Sequence, residues 1–120
     1  MELTSIDQVF ASRSLTLINK KSIHSVVVTI GKPKPFPDGN DYFCPYQITG
    51  IGDEKINWSG GIDEVQALLL ALEAVGIFLR NTEEYKKGNL FWIGSENGNL
   101  GFPQHDSSGM LTQFIPHTNL

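Results

Sequence analysis

The chain has 120 residues, 40% of them hydrophobic and only 18% charged, with a net charge of −4 at pH 7. That length predicts one domain with a core of its own, and the acidic balance is the wrong footprint for a non-specific nucleic-acid binder. The single cysteine, Cys44, leaves no intramolecular disulfide and predicts a reducing, cytoplasmic setting.

Met1 to Ser5 lack the basic start and apolar run of a signal peptide. Residues 9–18 read as a strand, with Leu15 and Leu17 alternating against Ser14 and Thr16. Residues 23–30 read as a second, carrying the β-branched run Val26, Val27 and Val28. The polar residues 19–22 between them predict an antiparallel hairpin. Gly31 ends the second strand, and Pro33, Pro35 and Pro37 predict a stiff extended loop that turns at Asp38-Gly39.

A third strand covers 42–49. Tyr42, Cys44, Tyr46 and Ile48 face the core, and Phe43, Pro45, Gln47 and Thr49 face away. Pro45 lacks a ladder donor, which predicts a sheet edge or a bulge there. Gly50 to Asp53 turn the chain into a short strand over about 55–59, broken by Gly60-Gly61.

The clearest element is a helix over about 63–81, with Asp63 as N-cap and Gln66 three residues later in a capping-box pattern. A helical wheel puts Val65, Leu68, Leu72, Val75, Gly76 and Leu79 on the sheet. The other face holds Ala67, Leu70, Ala71, Ala74, Ile77 and Phe78, with only Gln66, Glu73 and Arg80 polar. A helix apolar nearly all round is expected to be covered on both sides. The six residues of the second face are therefore the candidate protein interface. The competing account has Phe102, Leu111 and Phe114 fold back over it.

Leu90 to Ile93 form a compact apolar strand. Residues 95–120 read as an irregular tail punctuated by Gly and Pro, with Leu100, Phe102, Met110, Leu111, Phe114 and Ile115 as anchors. The order predicts an α+β fold: an antiparallel sheet of four to five strands with one long helix across one face. The whole chain, 1–120, is expected to be one domain with its compact core over about 9–94. The longest apolar stretch, 65–79, is too short to span a bilayer.

No residue set points to catalysis, a metal or a cofactor. Cys44 reads as a buried thiol. His24, His105 and His117 stand at no metal-ligand spacing, and His24 reads as a core or edge side chain. Gly50-Ile51-Gly52 lacks the third glycine and immediate helix of a phosphate loop. An anion at Gly60-Gly61 would meet Asp63 and Glu64. The carboxylate pairs Asp53-Glu54, Asp63-Glu64 and Glu83-Glu84 are sequence neighbours with local reasons to exist. Trp58 and Trp92 read as core.

The sequence thus points to a non-enzymatic binding module, self-associating or partner-directed, using the second helix face. One alternative is a small-ligand enzyme with a cleft beside the Pro33–Pro37 loop. Another is a nucleic-acid binder using Lys20, Lys21, Lys86 and Lys87, two pairs expected at one end of the sheet.

The strand Tyr42-Phe43-Cys44-Pro45-Tyr46-Gln47-Ile48, the helix start Gly61-Ile62-Asp63-Glu64-Val65-Gln66-Ala67-Leu68 and the strand end Ile30-Gly31-Lys32-Pro33 resemble a family of small bacterial proteins known only as a domain of unknown function. The resemblance covers roughly 13–93 and implies a small α+β fold with no activity to carry over. Some similar small proteins accompany toxin systems as immunity proteins, and an immunity-like inhibitor is the concrete form of a partner-directed module.

Overall fold

The computed structural model describes residues 1–105 and 111–113, the last three together with His105 by backbone alone. Strands β1 (Val9–Asn19) and β2 (Ser22–Gly31) form the expected hairpin, paired antiparallel from Ala11↔Ile30 down to Asn19↔Ser22. Lys20 takes a positive φ of 51° in the turn between them. Next come β3 (Lys34–Pro35), β4 (Tyr42–Thr49) and β5 (Ile56–Gly61), then helices α1 (Glu64–Arg80) and α2 (Glu83–Lys86), and β6 (Leu90–Phe91). The six strands make one antiparallel sheet in the order β3-β4-β2-β1-β6, with β5 paired to β4. α1 lies across it. This is the α+β architecture the sequence predicts.

Two local expectations change. The proline-rich stretch is not wholly a loop, because β3 pairs with the same strand as β2 and resumes one residue out of register: Ile30 faces Tyr46, and Lys34 faces Phe43. Pro45 sits opposite this break, with Trp58 of β5 as its partner on the other side. Its missing donor falls where the ladder is already interrupted, so a proline is tolerated inside the sheet and not only at its edge.

Gly60 and Gly61 do not break β5; they are its last two residues. A Cβ on Gly61 would lie 2.5 Å from the Ala67 nitrogen. The bare backbone lets α1 start directly against the strand.

The core lies between sheet and helix. Leu15, Leu17, Val26, Val28, Ile30, Cys44 and Ile48 from the strands meet Ala67, Ala71, Val75 and Leu79 from α1, with Leu90, Leu100 and Phe102 closing one side. Leu100 and Phe102 belong to the segment the sequence set apart as a tail. Beyond them, β7 (Gln104–His105) and β8 (Leu111–Gln113) form a separate two-stranded ladder. Met110, Phe114, Ile115 and His117 lie outside the described residues. Among those described, no helix is long and apolar enough to cross a membrane.

Most of the expected inner face of α1 is found, with Val75, Gly76 and Leu79 buried and Leu68 and Leu72 packed against the core, but its centre shifts towards the alanines. The row Ala67, Ala71, Val75 and Leu79, each four residues apart, is fully buried, whereas Val65 is 64% exposed. Small alanines allow the helix axis to approach the sheet closely, and that approach decides the face.

Candidate protein-interaction surface

Asp63 caps α1 from an extended conformation, its carboxylate accepting from the Gln66 amide at 2.8 Å. The Gln66 side chain reaches back to accept from the Ile62 amide at 2.8 Å, completing a reciprocal cap displaced by one residue from the usual form. The helix start is thus fixed, and with it the direction of every side chain along α1.

Of the six residues expected on the second face, four lie away from the core and two do not. Leu70 (40% exposed), Ile77 (48%) and Phe78 are exposed, Ala74 is half-buried, and Ala67 and Ala71 are fully buried. The two alanines therefore cannot touch a partner. Leu69, which the wheel passed over, joins the outer stripe. The stripe runs Gln66, Leu69, Leu70, Glu73, Ala74, Ile77, with Phe78 at its border, where its ring tip packs on Gly52 of the β4–β5 turn.

Of the tail residues expected over the second face, Phe102 packs on α1 at another place, and the Leu111 side chain and Phe114 lie outside the described residues. Phe102 sits against Gly76, where a Cβ would meet the Phe102 Cβ at 2.9 Å. Arg13 of β1 holds this strap: its Nη1 donates to the carbonyls of Leu100 and Gly101, each at 3.0 Å. Its guanidinium lies over the rings of Trp92 at 3.8 Å and Phe102 at 4.9 Å. The strap closes the Leu72–Gly76 side of α1 and leaves Leu70 and Ile77 open.

Between the end of α1, α2 and the strap is a cleft of about 400 Å³, lined by Arg80, Tyr85, Glu96, Asn97, Gly98, Asn99, Leu100, Phe102 and Gln104. Sequence reading missed it, because its walls come from the α1–α2 junction and a later loop that the Tyr85–Gly98 hydrogen bond and the packing of Phe102 bring together. It also missed the aromatic cluster on the other side of the sheet, where Phe36 packs against Phe43 and Trp58 with ring centroids 5.3 Å apart in both pairs. The Trp58 indole donates to the Met1 carbonyl at 3.3 Å, tying the N-terminal segment across this face.

The other candidate groups are accounted for locally. Cys44 is buried, its thiol donates to the Gly31 carbonyl at 3.4 Å, and burial pushes its pKa up to about 11. That is the opposite of a nucleophilic cysteine. His24 is exposed at the hairpin, 2.9 Å from the Ser22 hydroxyl, and not in the core.

Beside the Pro33–Pro37 stretch is a hollow of about 120 Å³. Its charged groups Asp7 and Lys34 are 3.4 Å apart and spent on each other. The Ser5 hydroxyl and then Lys34 hold the Asp7 carboxyl below the usual carboxylate range.

The two lysine pairs do meet at one end of the sheet, where the Ile18 amide donates to the Asn89 carbonyl at 2.9 Å. Glu83 and Glu84 of α2 offset Lys86 and Lys87 there. Among the described residues, no group of three or more His, Cys, Asp and Glu could hold a metal ion.

A family model for a domain of unknown function, DUF6968, matches residues 11–104. The chain belongs to the DUF6968 family. No curated protein and no solved structure matches it. The DUF6968 match runs past the last strand of the sheet and takes in both Arg13 and the Leu100–Phe102 strap it holds. The strap therefore lies within the family domain.

Proposed function

We propose that this DUF6968 chain is a non-enzymatic protein-binding module whose working surface is the outer stripe of α1, and that the stripe takes a second copy of the chain. The observation that carries the reading is the spacing of Leu70 and Ile77. They stand one heptad apart on the open side of the helix, with the small Ala74 between them.

The stripe is self-complementary. When two α1 helices run antiparallel about a two-fold axis midway between Glu73 and Ala74, Leu70 of one copy meets Ile77 of the other. Leu69 and Phe78 flank that pair on opposite sides of the seam. Each contact occurs twice, as an isologous interface requires. Ala74 lets the backbones approach. Next to the axis each residue faces its own counterpart, so Ala74 meets Ala74 while the two Glu73 carboxylates come near each other and weaken the association at neutral pH.

Burying a Leu, Ile or Phe side chain completely contributes roughly 1.5–3 kcal/mol, and these are already half-covered. Pairing of four such residues per copy is accordingly weak and concentration-dependent once the cost of association is met. A module of this kind assembles reversibly.

Cross-linking tests the geometry. Ala74→Cys should give an interchain disulfide under mild oxidation, since position 74 lies beside the two-fold axis. Glu64→Cys, exposed at the far end of α1, should not. Equal cross-linking at both positions would remove the antiparallel pairing.

A further inference from the structure

We propose that the cleft between the end of α1, α2 and the strap binds a small zwitterion of amino-acid type, with the carboxylate on Arg80 and Asn99 and the ammonium group on Glu96. Its volume of about 400 Å³ is in the range of small-molecule sites, roughly 300–1,000 Å³.

The wall of the cleft is prearranged. The Tyr85 hydroxyl donates to the Gly98 carbonyl at 2.9 Å, fastening the loop over 96–99 to α2. The Asn99 amide donates to the Glu96 carbonyl at 3.0 Å, and the Ser95 amide to the Trp92 carbonyl at 3.0 Å. The Asn99 Oδ1 accepts from the Gly101 amide at 2.7 Å. That bond fixes the orientation of the side-chain amide and leaves its Nδ2 as a donor. A loop held by its own bonds loses little freedom on binding.

Arg80 is also positioned. A Cβ on Gly76 would lie 2.7 Å from the Arg80 Nη1, so the guanidinium is folded back along the helix through the space this glycine leaves. Phe102 packs on the same glycine. Among the described residues neither the Arg80 guanidinium nor the Glu96 carboxylate has an ion-pair or hydrogen-bond partner. One cleft thus carries a cation and an anion that are not paired with each other.

The two charges select the ligand class. A guanidinium with a neighbouring amide donor fits a carboxylate. A phosphate would fit Arg80 equally well but would bring two negative charges towards Glu96. A molecule with a carboxylate and an ammonium group satisfies both.

The test is titration of the full chain with each of the twenty L-amino acids at millimolar concentration, read by backbone amide shifts. Acetate, inorganic phosphate and methylammonium serve as single-charge probes. The expected result is saturable binding of at least one amino acid, with shifts centred on Asn97, Gly98 and Asn99, and weaker binding of all three probes. Arg80→Gln and Glu96→Gln should each weaken that binding roughly tenfold, the loss of one charge-assisted hydrogen bond.

Glu96 is on an exposed loop, so its variant carries the test if Arg80→Gln disturbs the helix. Absence of binding by all twenty overturns the proposal. So does phosphate or acetate binding as tightly as any amino acid, or an affinity unchanged in Glu96→Gln.

Discussion

The guanidinium of Arg13 lies 3.8 Å from the ring centroid of Trp92, while its Nη1 donates to two successive carbonyls of the strap. One side chain on β1, between β2 and β6 in the sheet, thus ties that strand to residues nearly ninety positions later. Burial lowers its pKa from the ordinary arginine value, but carbonyl acceptors and aromatic faces keep the cation satisfied.

Replacing Arg13 with Ala should therefore cost about 2 kcal/mol, the sum expected for part-buried charged hydrogen bonds and a cation–π contact. Arg13→Lys should recover only part of this, because an ammonium cannot span two carbonyls while stacking on Trp92. Urea unfolding followed by tryptophan fluorescence measures both. Equal stability of Arg13→Ala and the parent chain would mean that the strap is held by Leu100 and Phe102 alone.

Two adjacent glycines in β5 should respond very differently to a methyl group. At Gly61 it would meet the backbone of α1 at 2.5 Å, whereas at Gly60 it meets the Phe36 ring at an ordinary 3.5 Å. Gly61→Ala should destabilise by about 1–3 kcal/mol, the usual cost of overpacking, and Gly60→Ala by much less. Thermal unfolding of the pair decides the matter, and equal losses would deny the close strand–helix approach.

Cys44 makes a prediction about pH. Its folded pKa of about 11 stands above the ordinary value of 9.0 because burial disfavours the thiolate. Between these values the unfolded chain has lost a proton that the folded chain keeps. The thiol's contribution is therefore fully present below pH 9 and is lost as pH rises towards 11. At pH 8 the folded protein should react with an aromatic disulfide reagent far more slowly than the urea-unfolded chain. Comparable rates would show that the thiol is accessible.

The fold was legible where the side-chain period was unambiguous. The β1–β2 hairpin follows from the alternation around Leu15 and the valine run of β2. The start of α1 follows from Asp63 and Gln66, because capping is local chemistry. The helix face was legible in part: Leu68, Leu72, Val75, Gly76 and Leu79 lie towards the sheet as read, and Val65 does not. α1 is apolar nearly all round, so periodicity alone does not draw the edge of its inner side. The choice was made by Ala67, Ala71 and Gly61, whose small size counts only once strand and helix are known to meet. The strap escaped for a similar reason: Arg13 and Gly101 reveal nothing of each other until β1 is placed beside the chain's return. Of the six residues the helical wheel placed on the second face, Leu70, Ala74, Ile77 and Phe78 do lie away from the core, and Ala67 and Ala71 were placed there wrongly for want of that strand–helix contact.

The proposed pairing joins two copies of this chain through the open stripe of α1. The mass of the protein in solution, measured by sedimentation equilibrium over a wide concentration range, tests it most directly. The parent chain should move from monomer towards dimer as concentration rises, while Leu70→Asp/Ile77→Asp should remain monomeric with an unchanged unfolding midpoint, because neither residue is buried in the monomer. A parent chain that stays monomeric throughout, or a double variant that dimerises as readily as the parent, would contradict the account.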